Sequence, residues 1–551
     1  MRTLIAPLLL LVAACAHSPA TGGAASTPPA TTGATTAGPA QATAPPDATA
    51  TDRFTPLREA AEALLAAQGE AAWRGWTGGE PADQAALWSG REALLDPDAL
   101  AQLRDALASA ASPERARLAR LQAFLLGEQL ARAAAAPTLA LAAARAAASF
   151  SWEKRSVPLR GLTSLLAGEA EAPRRRAAAQ SASFALLKLE KATAARDAAL
   201  LRAGGERGFH SSLALAGALR LEDPERLAAI AEATLAAGDA TWPATLDALA
   251  RKELGTSSVR LREWDLPRLF RTTAAPGGFP ANRLLTDLGT LLTGLGLDLV
   301  AGGRLTVDAS ARPGKIPRPI AVAVEVPGAI RLALTPLAGL DAFSASLHEL
   351  GVALSLAHVS PGATFEDRRL PPAWQTQAWG LLFEEIATDA GWLTARGVAP
   401  EAAEREARIT AARRTHAARA AAATVLIELA RARDPAGAPA RWAELAPRAF
   451  GHPVDGSAPL PWRVEPDPLL RAADSLRAHL LAARLSATLT ALAADRPWWR
   501  SPASGAWLRE AWSGGGGGRV LLGALERYRS AHRGPNGVPA SWHVVYAVAS
   551  R

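Results

Sequence analysis

Between residues 304 and 334 the spacing of apolar residues in this chain changes period, and that change restricts its possible folds more than any other feature. Elsewhere apolar residues recur at helical spacing, as in Leu57, Ala60, Ala61, Leu64 and Leu65. Within the interval, 304–309, 320–326 and 330–334 are short, β-branched or alternating runs bounded by Gly and Pro. The pattern predicts a mainly α, multi-helical fold with one small sheet at 304–335. Helix breaks are expected at Gly78-Gly79-Glu80-Pro81, Pro97 and Pro173, and loops near Pro435 and over 461–468. The glycine run 514–518 lacks the Lys-Ser/Thr that completes a phosphate loop and has no strand before it, so it reads as a flexible loop.

The N-terminus has its own logic. Arg2, an apolar run over residues 4–12 and then Ala13-Ala14-Cys15 have the charge, length and small residues of a secretory signal. Cys15 is the only cysteine, which excludes an intrachain disulfide or a multi-cysteine metal site. Val12-Ala13-Ala14-Cys15 resembles the bacterial lipoprotein box, which implies removal of residues 1–14 and lipidation of Cys15. Residues 15–52, rich in Ala, Thr and Pro, hold too little apolar surface to fold and form a tether. No later segment offers about 18 uninterrupted apolar residues, so the body is expected to be soluble. Ala16 follows the cysteine where an aspartate would favour the inner membrane. The expected location is therefore the cell envelope, lipid-anchored, at the outer membrane and facing the periplasm. The net charge of +8 comes from arginines interleaved with acids. No basic block with interleaved aromatics is present, so no nucleic-acid partner is expected.

Chemistry concentrates at Leu347-His348-Glu349-Leu350-Gly351-Val352. Two histidines four residues apart on a helix can grip zinc, and a glutamate after the first can activate the metal-bound water. His348 and Glu349 fit the metal and catalytic positions. Val352 stands at the second ligand position and cannot coordinate. His358 lies ten residues after His348, but Ser355-Leu356-Ala357 offers no turn to bring it back, so it reads as a helix-end residue. The remaining histidines, His479 among them, show no ligand spacing.

Arg312-Pro313-Gly314-Lys315, two further strand patterns and then Ser346-Leu347-His348-Glu349-Leu350-Gly351 resemble, in that order, the oligoendopeptidase F and thimet oligopeptidase family of zinc metallopeptidases. Arg262-Glu263-Trp264-Asp265, Phe279-Pro280, Gly294-Leu295-Gly296 and the later Ala473-Asp474-Ser475-Leu476-Arg477-Ala478 add to the likeness, which spans residues 200–512. It implies a gluzincin-type helical fold with a deep channel and a small sheet beside the zinc-motif helix. It divides the body into a helical region over 53–202 and a metallopeptidase-like domain over 203–551. It also implies zinc as cofactor, with Glu385 of Leu382-Phe383-Glu384-Glu385 as a further metal ligand. Asp389, one turn on, would orient a ligating histidine.

Two departures bear on activity. Val352 removes a ligand, and Asp467 to Leu476, the stretch matching the family's late His/Tyr segment, contains neither residue; the chain's two tyrosines are Tyr528 and Tyr546. With His348 and Glu385 as the remaining ligands, zinc would be held weakly at most. The expected function is a membrane-anchored lipoprotein whose peptidase-like body is catalytically impaired and binds peptides or a partner protein. The alternatives are an active zinc endopeptidase with a substitute ligand, and a purely structural envelope lipoprotein.

Overall fold

A computed structural model describes residues 53–80, 83–273, 278–454, 468–518, 521 and 523. The signal, Cys15 and linker expected over 1–52, most of the 461–468 loop, and Tyr528 and Tyr546 lie outside these residues. The fold is mainly α with small sheets. None of the described helices is long and apolar enough to cross a membrane.

The first helix, Thr55–Gly78, shows how local sequence sets the elements. Pro56 sits in its first turn, where a missing N–H is harmless, and Gly79 ends it in the left-handed region at φ 73°. Ala61 and Leu64 face inward and join Leu94, Leu100, Leu103, Leu121 and Leu125 in an N-terminal core. Asp96 and Asp223 begin later helices by accepting backbone N–H bonds, each with proline next in sequence.

The expected helical region of 53–202 contains a β-hairpin that its overall periodicity hides. Strands β1 (Ser149–Trp152) and β2 (Arg155–Pro158) pair antiparallel around Glu153-Lys154, both at positive φ. Phe150 is driven under the hairpin against Leu166, Ala178, Ala182 and Trp264. Four residues of alternation are too few to stand out against the surrounding helical signal.

The second sheet holds β3 (Leu305–Asp308), β4 (Ile320–Glu325) and β5 (Ala329–Ala333) in the order β3-β5-β4, with β3 parallel and β4 antiparallel to β5. One side of this sheet receives the motif helix, Leu340–Ala357, whose Phe343, Leu347, Leu350 and Leu354 share a core with Ile330 and Leu332. The first helix runs along β4. Gly69 makes this approach possible, because a Cβ there would fall 2.5 Å from the Ala323 carbonyl oxygen. One turn of register is fixed by Arg331, which grips Glu70 through two bonds of 2.8 and 2.6 Å.

Arg312-Pro313-Gly314-Lys315 is a clamp at the end of this sheet. Lys315 is buried, and its Nζ donates to the carbonyls of Asp308, Ser310 and Leu334 at 2.8–2.9 Å. Arg312 joins Asp308 to the Thr77 carbonyl, and Gly314, at φ 82°, lies against Gly78 of the first helix. Burial opposes the Asp308 charge, but bonds from Arg312, Ser310 and Lys315 outweigh it and hold the carboxyl well below its usual range. The glycine run is also more tightly placed than a flexible loop. Gly515 and Gly516 press on Asp367 and Pro371, where a Cβ would clash, and their carbonyls accept from Gln375 and Arg120.

Candidate active site

The motif helix packs against the facing helix, Ala373–Glu384, which starts after Pro371-Pro372 and runs antiparallel to it. Small residues allow the two backbones to approach closely. A Cβ on Gly351 would lie 2.5 Å from the Trp379 carbonyl oxygen and 3.0 Å from the Phe383 ring. A Cβ on Gly380 would lie 2.6–2.8 Å from Nε2, Cδ2 and Cε1 of His348. Near-equal distances to three ring atoms mean that the face of the imidazole lies on Gly380. On the same facing helix, Trp379 and Phe383 each pack against Trp512.

His348 is buried, with 6% of its surface exposed, and its Nδ1 lies 3.1 Å from Glu384 Oε2. A carboxylate only accepts, so Nδ1 is the donor and the ring is held in one orientation. Ser344, one turn earlier on the motif helix, donates to the other Glu384 oxygen at 3.3 Å. Glu349, next in sequence to His348, reaches the sheet. Its Oε2 accepts from the Ala321 amide of β4 at 2.8 Å.

Glu385, which the resemblance puts forward as a metal ligand, faces elsewhere. The facing helix tightens at this residue into the 3₁₀ turn Glu385–Thr388. Glu385 accepts from Ser486 of the late helix, Ala472–Ala493, at 2.7 Å. It also accepts from Arg414 of the long helix, Pro400–Arg433, at 2.9 Å. Asp389 does not continue the same face. It caps the short helix Ala390–Thr394, accepting from the Trp392 amide at 2.7 Å. Val352 is half-buried one turn beyond His348. His358, about 15 Å further along the helix, ends the motif helix with Nδ1 bonded to the Leu354 carbonyl and its ring 5.3 Å from Trp512. Loss of hydration pushes its pKa down.

The late helix supplies a residue that spacing did not single out. Desolvation drives the His479 pKa down to about 4, with Arg414 reinforcing the shift, Glu384 opposing it and His348 adding to it. His479 therefore lies within electrostatic reach of the His348–Glu384 pair. Its seven-residue separation from Ser486 puts both on one helical face, the one sequence signal that links it to Glu385. Trp498 and Trp499 are core residues, each 6% exposed.

These residues do not fit a catalytic zinc. Such a site needs about three protein ligands converging on one open position. Val352 offers no donor, Glu384 is spent on the far nitrogen of the imidazole, and Glu385 is balanced by Arg414. Among the described residues no group of three or more His, Cys, Asp or Glu is placed to hold a metal ion.

No known protein family and no curated protein sequence matches the chain. Solved structures do. A PZ peptidase A with a bound inhibitor superposes with a TM-score of 0.56 at 12% identity, over 89% of this chain and 90% of that one. A protein described as an oligoendopeptidase F from Bacillus anthracis gives 0.56 at 13% identity, over 88% of each chain. A protein described as a peptidase from Chlamydophila abortus gives 0.62 at 11% identity, over 90% of this chain and 88% of that one. At fold level, this chain has the helical architecture of the oligoendopeptidase F-type peptidases.

Proposed function

We propose that this chain is a lipid-anchored envelope protein whose peptidase-fold body has lost peptide hydrolysis and keeps a binding role toward peptides or a partner protein. The observation that carries the reading is the set of engagements around His348. The second ligand position is Val352. The carboxylates that could serve a metal or a water are each tied to the protein, Glu349 to Ala321, Glu384 to His348 and Ser344, and Glu385 to Arg414 and Ser486. A general base bound to a strand amide, without a metal to deliver water, has no substrate proton to take. Cys15, the sole cysteine, closing a signal-like segment supports anchoring, and Ala16 supports the outer membrane.

The test is metal analysis of the full chain purified in detergent, paired with cleavage and capture of a mixed peptide library. The expected result is less than stoichiometric zinc, no chelator-sensitive cleavage, and retention of a subset of peptides. Stoichiometric zinc with chelator-sensitive turnover would establish the active-peptidase alternative instead. Absence of both turnover and capture would favour the purely structural one. Anchoring is checked by incorporation of labelled palmitate, which Cys15→Ala abolishes.

A further inference from the structure

The register between the motif helix and the facing helix identifies which side chain stands where a third ligand would be needed. Two contacts fix that register. Ser344 meets Glu384, and His348 meets Gly380, so four residues forward on one helix correspond to four back on the other. A small open cleft beyond them, with room for about 20 Å³, extends the same register, since Ser355 lines it together with Gln375 and Thr376. Val352 lies between His348 and Ser355, and therefore comes level with Thr376 and Gln377.

Helical rotation separates those two. At about 100° per residue, Gln377 and Glu384, seven apart, project within about 20° of each other. Thr376 falls on the other side of Gly380 and lines the cleft. Gln377 is thus on the same side of the facing helix as the carboxylate that holds His348, and level with Val352. Its Oε1 is buried with no hydrogen-bond partner. Nothing among the described residues engages that oxygen, so the side chain is not held there by a hydrogen bond of its own. Glu385 is one residue past Glu384, so it projects about 100° away, and it is held by Arg414 and Ser486.

We infer that Gln377, and not Glu385, occupies the corner from which the facing helix would complete a metal site with His348 and position 352. Of the three corners, the chain then keeps one ligand, His348, and fills the others with an apolar side chain and a neutral carboxamide. The amide oxygen carries no charge and is a poor zinc donor beside imidazole, thiolate or carboxylate. This inference rests on the reading that the site is dismantled and specifies how. Val352→His alone does not rebuild it.

The test measures zinc by equilibrium dialysis and cobalt by its ligand-field absorption, on the detergent-purified full chain and its variants, with circular dichroism to confirm folding. Wild type and Val352→His are expected to hold no stoichiometric metal. Val352→His/Gln377→Glu is expected to hold one equivalent, at least about 100-fold tighter than Val352→His, and to keep it when Glu385→Gln is added. If Val352→His binds one equivalent and loses it on Glu385→Gln, Glu385 is the ligand and the inference fails while the pseudo-peptidase reading stands. A folded double variant without metal also overturns it. Stoichiometric zinc in the wild type overturns the underlying reading itself. Val352→Cys/Gln377→Glu, with a side chain close to valine in volume, repeats the test if histidine disrupts folding.

Discussion

Gly380→Ala should change the sign of its effect according to what stands at position 348. The added methyl would lie 2.6–2.8 Å from three atoms of the His348 ring, whereas non-bonded heavy atoms settle at about 3.5–4.0 Å. The ring must retreat by close to 1 Å, which stretches its 3.1 Å bond to Glu384 out of range. Overpacking of this kind costs about 1–3 kcal/mol, and a lost bond to a charged acceptor about 1.5–3 kcal/mol. Against this, alanine inside a helix is favoured over glycine by about 1 kcal/mol. The net expectation is a destabilisation of about 2–4 kcal/mol in the wild type. In a His348→Ala background the ring is gone, only the propensity remains, and Gly380→Ala should stabilise by up to about 1 kcal/mol. Urea denaturation followed by tryptophan fluorescence across the four-member cycle gives the coupling directly. Equal effects in both backgrounds, within about 0.5 kcal/mol, would refute the placement of the imidazole on Gly380, and with it the helix register that points to Gln377.

Other expectations follow from burial and contact. His416 lies among Trp242, Phe270 and Phe450, where burial, reinforced by His452, pushes its pKa down to about 3. A histidine whose folded pKa is depressed favours unfolding as pH falls below about 6.5, by up to about 1.4 kcal/mol per unit until the folded value is reached. His479, at about 4, acts in the same window. Stability measured between pH 7 and 4.5 should therefore fall steeply, and His416→Phe should reduce the slope; an unchanged slope would disprove burial of a neutral imidazole there. Gly69→Ala should destabilise by about 1–3 kcal/mol through collision with the Ala323 carbonyl, read from the urea midpoint. Lys315→Met takes the Nζ donor from the buried Leu334 carbonyl and the part-buried Ser310 carbonyl, while the Asp308 carbonyl keeps the Leu334 amide. At about 1–3 kcal/mol for a buried acceptor left unsatisfied, it should lower the thermal midpoint, read by circular dichroism, and an unchanged midpoint would disprove the clamp.

Much of the fold is legible in the sequence because it rests on local pattern. The β-branched, alternating runs at 304–334 stand out from helical surroundings, and β3, β4 and β5 form there. His348 and Glu349 sit on a helix because Leu347, Leu350 and Leu354 give it one apolar face. The candidate site is less legible, because it depends on where helices stop and how they register. Glu384 and Glu385 are adjacent and equally helical by pattern, but neighbours on a helix diverge by about 100°, and only the register of the packed helices decides that one faces His348 and the other Arg414. Asp389 shares a face with Glu385 only on a continuous helix, and the chain instead restarts there, with Asp389 as the cap. His479 gains its neighbours from the packing of the late helix, which no spacing within its own segment reveals.

The bond from the Ala321 amide to Glu349 has a consequence for how this body could take up a peptide. β4 is an edge strand, and an unpaired edge is a template for strand addition. Here one of its donors is occupied and one of its acceptors is screened from within. Glu349 takes the Ala321 N–H, and the first helix, through Gly69, lies against the Ala323 carbonyl. An extended peptide seeking to lengthen the sheet must displace the carboxylate and find room beside a helix. A peptide that paired with this edge would therefore compete with the residue that resembles a catalytic base for the Ala321 N–H.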